Sequence, residues 1–210
     1  MSTSTKRVQL IGAPPCSGKT AAREKLQQEL RKRSGQPWLV LEHEDVFSPE
    51  MRVRASRASN LELSSKDFVM GFNLPGQIAF QKILRTIASQ GIPVVGFGPF
   101  ENVYGKIGQT TLYAKMLEQD FAGFDFSLAY FLVSGEGAEE EVQKRLRGRA
   151  GKSEWQPVLD ADKLGVDGYY EGRAKMVRLS SDTFDLPLVE YPVGQSVDWL
   201  VDRLATIILR

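Results

Sequence analysis

The segment Ala13-Pro14-Pro15-Cys16-Ser17-Gly18-Lys19-Thr20 carries residue types that could hold a phosphate chain. Gly18 lets the backbone approach phosphate oxygens, and the amides opening a helix point partial positive charge at the anion. Lys19 can reach terminal phosphates, and the Thr20 hydroxyl can ligate Mg²⁺. Pro14 and Pro15 have no amide hydrogen, so Cys16 to Thr20 must supply most of the donors. The spacing is that of the Walker A pattern, with Ala13 in place of its first Gly. Cys16 is the single cysteine and is read as a small loop filler.

Three more clusters carry chemistry. Glu42-His43-Glu44-Asp45 gathers carboxylates beside the chain's one histidine, which is read as a structural or substrate-shaping residue. Arg145 and Arg149 are four apart and share a helix face. A guanidinium fork there suits a phosphoryl group better than lysine does. Glu139 to Glu141 at the start of that segment and bases at its end also complement a helix dipole. Arg52, Arg54 and Arg57, with no intervening acid, would suit an acceptor bearing a phosphate or carboxylate.

These clusters need a frame. Val8–Ile11, ended by Gly12, is a short β-branched run and predicts a buried strand. Ala22, Leu26 and Leu30 recur at spacing four, predicting a helix from Lys19 to about Arg33 that stops at Ser34-Gly35. Further strands are predicted at Trp38–Leu41, Ile92–Phe97, Leu128–Val133 and Leu186–Tyr191. Helices are predicted over a short stretch ending at Met70, then at Gln77–Ser89, Thr110–Gln119 and Ala138–Gly148. A last one follows Ser196 as N-cap, turning Val197, Leu200, Val201, Leu204 and Ile208 inward. Residues 150–168 lack periodicity and are read as a mobile loop. Alternating strands and helices predict an α/β fold, a three-layer α/β/α sandwich on a five-stranded parallel sheet. Ligands in such sheets sit at the carboxyl ends of the strands, where each cluster falls.

Taken in motif order, nearly the whole chain resembles the P-loop kinases of the adenylate kinase-like group. That group includes nucleoside, chloramphenicol phosphotransferase-like and zeta toxin-like kinases. The loop from Ala13 to Thr20 is the specific match. The resemblance implies one kinase-like domain over 1–210, with an acceptor-binding insert at about 46–76 and a lid at about 148–168. It implies ATP and Mg²⁺ as cofactors and phosphoryl transfer to a hydroxyl of a small molecule.

Glu44-Asp45-Val46-Phe47-Ser48-Pro49 is similar to the group's Asp-Asp-Phe-Phe-Lys-Pro stretch. This favours Asp45 as the base on the acceptor hydroxyl, with Glu44 second. Alternation along a strand end would place the two on opposite faces. Arg145 and Arg149 resemble the lid-entry pair that neutralises charge on the transferred group, and the loop holding Lys152 would then exclude water.

One departure stands out. The group usually ends its third strand with Asp, where this chain has Phe97. Either Glu101, Glu44 or Asp45 serves instead, or metal handling is unusual. Gly96, Gly98 and Pro99 suit either a backbone wall against a substrate or a tight turn. Phe68, Phe72, Phe80, Phe100 and Tyr104 are candidates for the acceptor pocket or the core. A nucleotide kinase with a phosphorylated acceptor and a nucleotide-binding protein without kinase activity are the competing expectations.

Bulk properties bound these expectations. The 210 residues suit one sheet-based domain. With 27 Lys+Arg against 26 Asp+Glu the net charge is +1, which argues against a broad nucleic-acid-binding face. The near-neutral sum hides a segregation of acids after the second strand from bases at Lys19, Arg52–Arg57 and Arg145–Lys152. A single cysteine precludes an intrachain disulfide, and no apolar run reaches the ~18 residues of a membrane span. The expectation is a cytoplasmic protein without membrane or nucleic-acid partners.

Overall fold

The computed structural model describes residues 6–14, 16–46, 74–98, 100, 119–150 and 169–210. The first strand, β1 (Arg7–Gly12), is followed by helix α1 (Lys19–Ser34), β2 (Leu39–Glu42) and a helical turn, α2 (His43–Val46). Then come α3 (Leu74–Ser89), β3 (Val94–Gly98), β4 (Asp125–Ser134), α4 (Ala138–Ala150), α5 (Tyr169–Phe184), β5 (Leu188–Pro192) and α6 (Val197–Ile208). The insert expected near 46–76, the lid near 148–168 and the helix ending at Met70 lie outside the described residues or barely touch them. So does the helix expected at 110–119, apart from helical residues 119 and 120.

All five strands run parallel, in the order β2-β3-β1-β4-β5. Helices cover both faces, as expected for a parallel sheet whose strands are near-continuous apolar runs. The middle three strands justify that rule. Each residue of β3 is buried, as are Val8 to Gly12 of β1 and Leu128 to Ser134 of β4. The chain leaves β1 toward β2, returns through β3, and crosses to β4 on the other side. The carboxyl end of β1 therefore opens a crevice where the strand order reverses.

α1 forms because Ala22, Leu26 and Leu30 make one buried stripe. It stops at Gly35, whose left-handed backbone (φ 68°) lets its amide return to the Arg31 carbonyl at 2.9 Å. α1 packs against α6, which Ser196 caps by accepting from the Trp199 amide at 3.2 Å. α3 packs on β1 and β3, and α5 on β4.

α5 was not expected from the sequence. Its inward positions include Tyr170, Arg173, Ala174, Val177, Ser180 and Ser181. Half of that face is polar or charged, which blurs the apolar period. The Tyr170 hydroxyl donates to the Val133 carbonyl, joining α5 to the end of β4.

Two sets of residues left open by the sequence are placed by the structure. Gly96 and Gly98 pack against core side chains. A Cβ at Gly96 would lie 2.5 Å from Leu84, and one at Gly98 would lie 2.8 Å from the Phe100 ring. These glycines make room for the core. Phe80 and Phe100 belong to it, nearly fully buried and stacked at 6.4 Å between centroids. Phe68, Phe72 and Tyr104 lie outside the described residues.

Candidate active site

The turn after β1 is built by two left-handed residues, Cys16 (φ 61°) and Gly18 (φ 105°). Such reversals aim successive amides into one concavity and suit an anion. Gly12 is required for space: a Cβ there would lie 2.5 Å from the Tyr130 ring on β4. Ala13, Pro14, Cys16 and Ser17 are buried. Ser17 donates its hydroxyl to the Pro14 carbonyl at 2.6 Å, closing the turn from inside. Lys19 curls back over the loop, its Nζ donating to the carbonyls of Ala13 (2.9 Å) and Pro14 (3.0 Å). Gly18 is the N-cap of α1 and Thr20 is in its first turn. Pro15 lies outside the described residues.

Arg145 reaches the same loop from α4, its Nη1 donating to the Cys16 carbonyl at 3.0 Å and its Nε to Glu141 at 2.8 Å. The i,i+4 partner holds the guanidinium at the loop's rim. Arg149 follows one turn later on α4. Arg52, Arg54, Arg57, Glu101 and Lys152 lie outside the described residues.

The acids are arranged differently from the expectation. Glu44 and Asp45 stand on the helical turn α2, not on a strand end, so strand alternation does not separate them. Asp45 is engaged at both oxygens. Oδ1 accepts from Arg23 Nη1 at 2.8 Å, and Oδ2 from the Glu42 amide at 2.9 Å. His43 is fully buried and edge-on to Phe80, with centroids 5.8 Å apart, which is a structural placement.

The residue that sequence reasoning passed over is Glu42. It ends β2, is 6% exposed, and its Oε2 accepts from the Thr20 hydroxyl at 3.2 Å. Its Oε1 is buried with no hydrogen-bond partner among the described residues. Burial is the main cause holding this carboxyl above the usual carboxylate range, and Glu44 adds to it. Lys19, the Thr20 bond and Arg23 pull the other way. The available signal was its position as the last residue of a strand beside the loop strand's neighbour. In register it faces Phe97, which occupies the slot where an acid was expected.

The donor set suits a hard cation. A hydroxyl and a half-satisfied carboxylate converge beside a phosphate-type loop, and Mg²⁺ binds through few protein oxygens plus substrate phosphates. Among the described residues no group of three or more His, Cys, Asp or Glu could hold a metal. A separate cavity of about 630 Å³ lies beside the end of β4, between α4 and α5, and shares no lining residue with the loop. Among the described residues no helix is long and apolar enough to cross a membrane.

No family model and no curated protein matches the sequence. Solved structures do. The chain is similar to a gluconokinase from Sinorhizobium meliloti 1021, at 15% identity over 98% of this chain and 93% of that one, with a TM-score of 0.51. It is similar to the APS kinase CysC of Mycobacterium tuberculosis in complex with AMPPNP and APS, at 14% identity over 97% and 98%, with a TM-score of 0.54. It is also similar to thymidylate kinase from Candida albicans, at 13% identity over 97% and 91%, with a TM-score of 0.57. The chain therefore has the fold of the P-loop small-molecule and nucleotide kinases, the five-stranded parallel α/β sandwich expected from its sequence.

Proposed function

We propose that this protein is an ATP-dependent, Mg²⁺-assisted kinase that transfers the γ-phosphoryl group to a hydroxyl of a small molecule. The observation that carries this is the convergence of Thr20 and Glu42 at a P-loop with Arg145 at its rim. In this reading the amides of Cys16 to Thr20 cradle the phosphates, and Lys19 exchanges its carbonyl partners for phosphate oxygens. Thr20 and Glu42 would hold the Mg²⁺, which when bound neutralises charge on the phosphate chain. Arg145, with Arg149 one turn on, offsets charge on the transferred group.

For the acceptor-side base we favour Glu44 over Asp45. Asp45 is already held at both oxygens, by Arg23 and by the Glu42 amide, and is turned toward those donors. Glu44 is the neighbouring carboxylate on α2, two residues after Glu42. The single domain with an acceptor insert at 46–76 and a lid at 148–168 belongs to this proposal, as do Arg52, Arg54, Arg57 and Glu101 as acceptor contacts. A cytoplasmic setting fits the expected chemistry.

Two measurements test the proposal. One is coupled ATP turnover against a panel of hydroxylated metabolites, nucleosides and antibiotics. The other is calorimetric ATP binding to wild type and Lys19→Ala. Acceptor-dependent turnover and weakened binding in Lys19→Ala are expected. No transfer to any acceptor, with Lys19→Ala binding ATP as wild type does, would sink it.

A further inference from the structure

Glu42 is held in an unfavourable place. A buried carboxylate with an oxygen that finds no hydrogen bond among the described residues is costly, so the chain around it must fix it there. Arg23, three residues after Thr20 on α1, provides the fixing contacts. Its Nε donates to the Val40 carbonyl at 3.2 Å, two residues before Glu42. Its Nη1 donates to Asp45 Oδ1 at 2.8 Å, three residues after Glu42. Asp45 then closes the loop by accepting the Glu42 amide at 2.9 Å. The arginine grips both sides of the residue that meets Thr20, and both groups hang from the same helix.

Stability alone does not explain this arrangement. The Arg23 and Asp45 side chains are about one-third exposed, at 32% and 34%, and such pairs contribute at most ~1 kcal/mol. Every one of these bonds nevertheless lands on the short segment carrying Glu42.

We propose that Arg23 and Asp45 form a positioning clamp that sets the Glu42 carboxylate against Thr20 and thereby shapes the cation site. This rests on the assignment of Thr20 and Glu42 to the nucleotide's Mg²⁺ made above. Mg²⁺ demands near-ideal octahedral geometry, so a small displacement of one ligand weakens the site. Asp45 thus acts through Glu42 and not on the acceptor.

The test is calorimetric binding of a non-hydrolysable ATP analogue with and without Mg²⁺. Wild type tightens with Mg²⁺, and Glu42→Gln loses that gain. Failure of either result overturns the cation assignment and the clamp together. With both in hand, Arg23→Ala and Asp45→Ala lower the Mg²⁺-dependent gain by about 10-fold, the scale seen for residues that orient metal ligands. Metal-free affinity stays at the wild-type value. Arg23→Lys recovers part of the gain, because one charged donor remains. The double variant Arg23→Ala/Glu42→Gln behaves as Glu42→Gln alone.

A full Mg²⁺ gain in Arg23→Ala overturns the clamp, as does a loss that multiplies onto Glu42→Gln. If thermal melting shows that the alanine variants do not fold, Arg23→Lys and Asp45→Asn carry the test with smaller losses of the same gain. An Asp45→Asn protein with full Mg²⁺ gain and abolished transfer would return Asp45 to the role of base.

Discussion

The carboxyl ends of β2 and β3 are neighbours in register, Glu42 beside Phe97, yet they are built on opposite principles. The β3 end is closed with aromatic mass. Phe97 is fully buried and edge-on to Phe131 at 6.1 Å, and the Phe100 ring fills the space beside Gly98. The β2 end is polar and incompletely satisfied, with one Glu42 oxygen on Thr20 and the other without a hydrogen bond among the described residues. The difference follows from what each end faces. β2 is the sheet edge, and α1 brings Thr20, Arg23 and Lys19 to it. β3 lies inside the sheet, with the Phe131 ring against Phe97. In the proposed reading, the acid absent from the β3 end is replaced by Glu42 from the adjacent strand end.

The most severe way to challenge this contrast is Phe97→Asp. It removes a core ring and buries an unpartnered charge, so a loss of more than ~4 kcal/mol is expected in urea unfolding. A folded variant with new Mg²⁺ affinity would show that the β3 position still accepts an acid. Glu42→Gln comes next, with kcat for acceptor phosphorylation expected to fall about 10–100-fold under saturating Mg²⁺. Unchanged kcat would place the acid elsewhere.

Gly98→Ala sharpens the aromatic side. Its Cβ would meet the Phe100 ring at 2.8 Å, so a cost of about 1–3 kcal/mol is expected in the same unfolding assay.

The smallest effect concerns pH and has the opposite sign. Folding raises the Glu42 pKa, so the folded state holds that proton more tightly than the unfolded chain. Glu42 then opposes folding above its folded pKa, and the burden disappears as pH falls below the ordinary carboxylate range. Glu42→Gln should therefore melt about 2–4 °C higher than wild type at neutral to mildly alkaline pH without nucleotide, the scale of ~1 kcal/mol. The gap should close on acidification. Equal melting temperatures across the range would mean that the carboxylate is adequately solvated.

Much of the frame was legible because local signals agreed with tertiary packing. The run Val8–Ile11, the stripe Ala22–Leu26–Leu30 and the cap Ser196 each predicted an element that the fold contains, within one or two residues. α5 escaped because Arg173, Ser180 and Ser181 occupy its buried face and interrupt the apolar period. The strand-end acids were legible as a cluster but not as individuals. Four polar residues in a row carry no signal for where a short strand yields to a helical turn.

The sequence by itself determined the loop's place, since Gly18, Lys19 and Thr20 are consecutive residues that open α1. It also determined the alternating α/β order, because periodicity is a property of neighbouring residues. Tertiary structure decided which carboxylate meets that loop. Thr20 and Glu42 are separated by 22 positions, as are Arg23 and Asp45, and nothing local links either pair. Only the parallel pairing of β2 with β3, and the packing of α1 against β2, brings them within hydrogen-bonding distance.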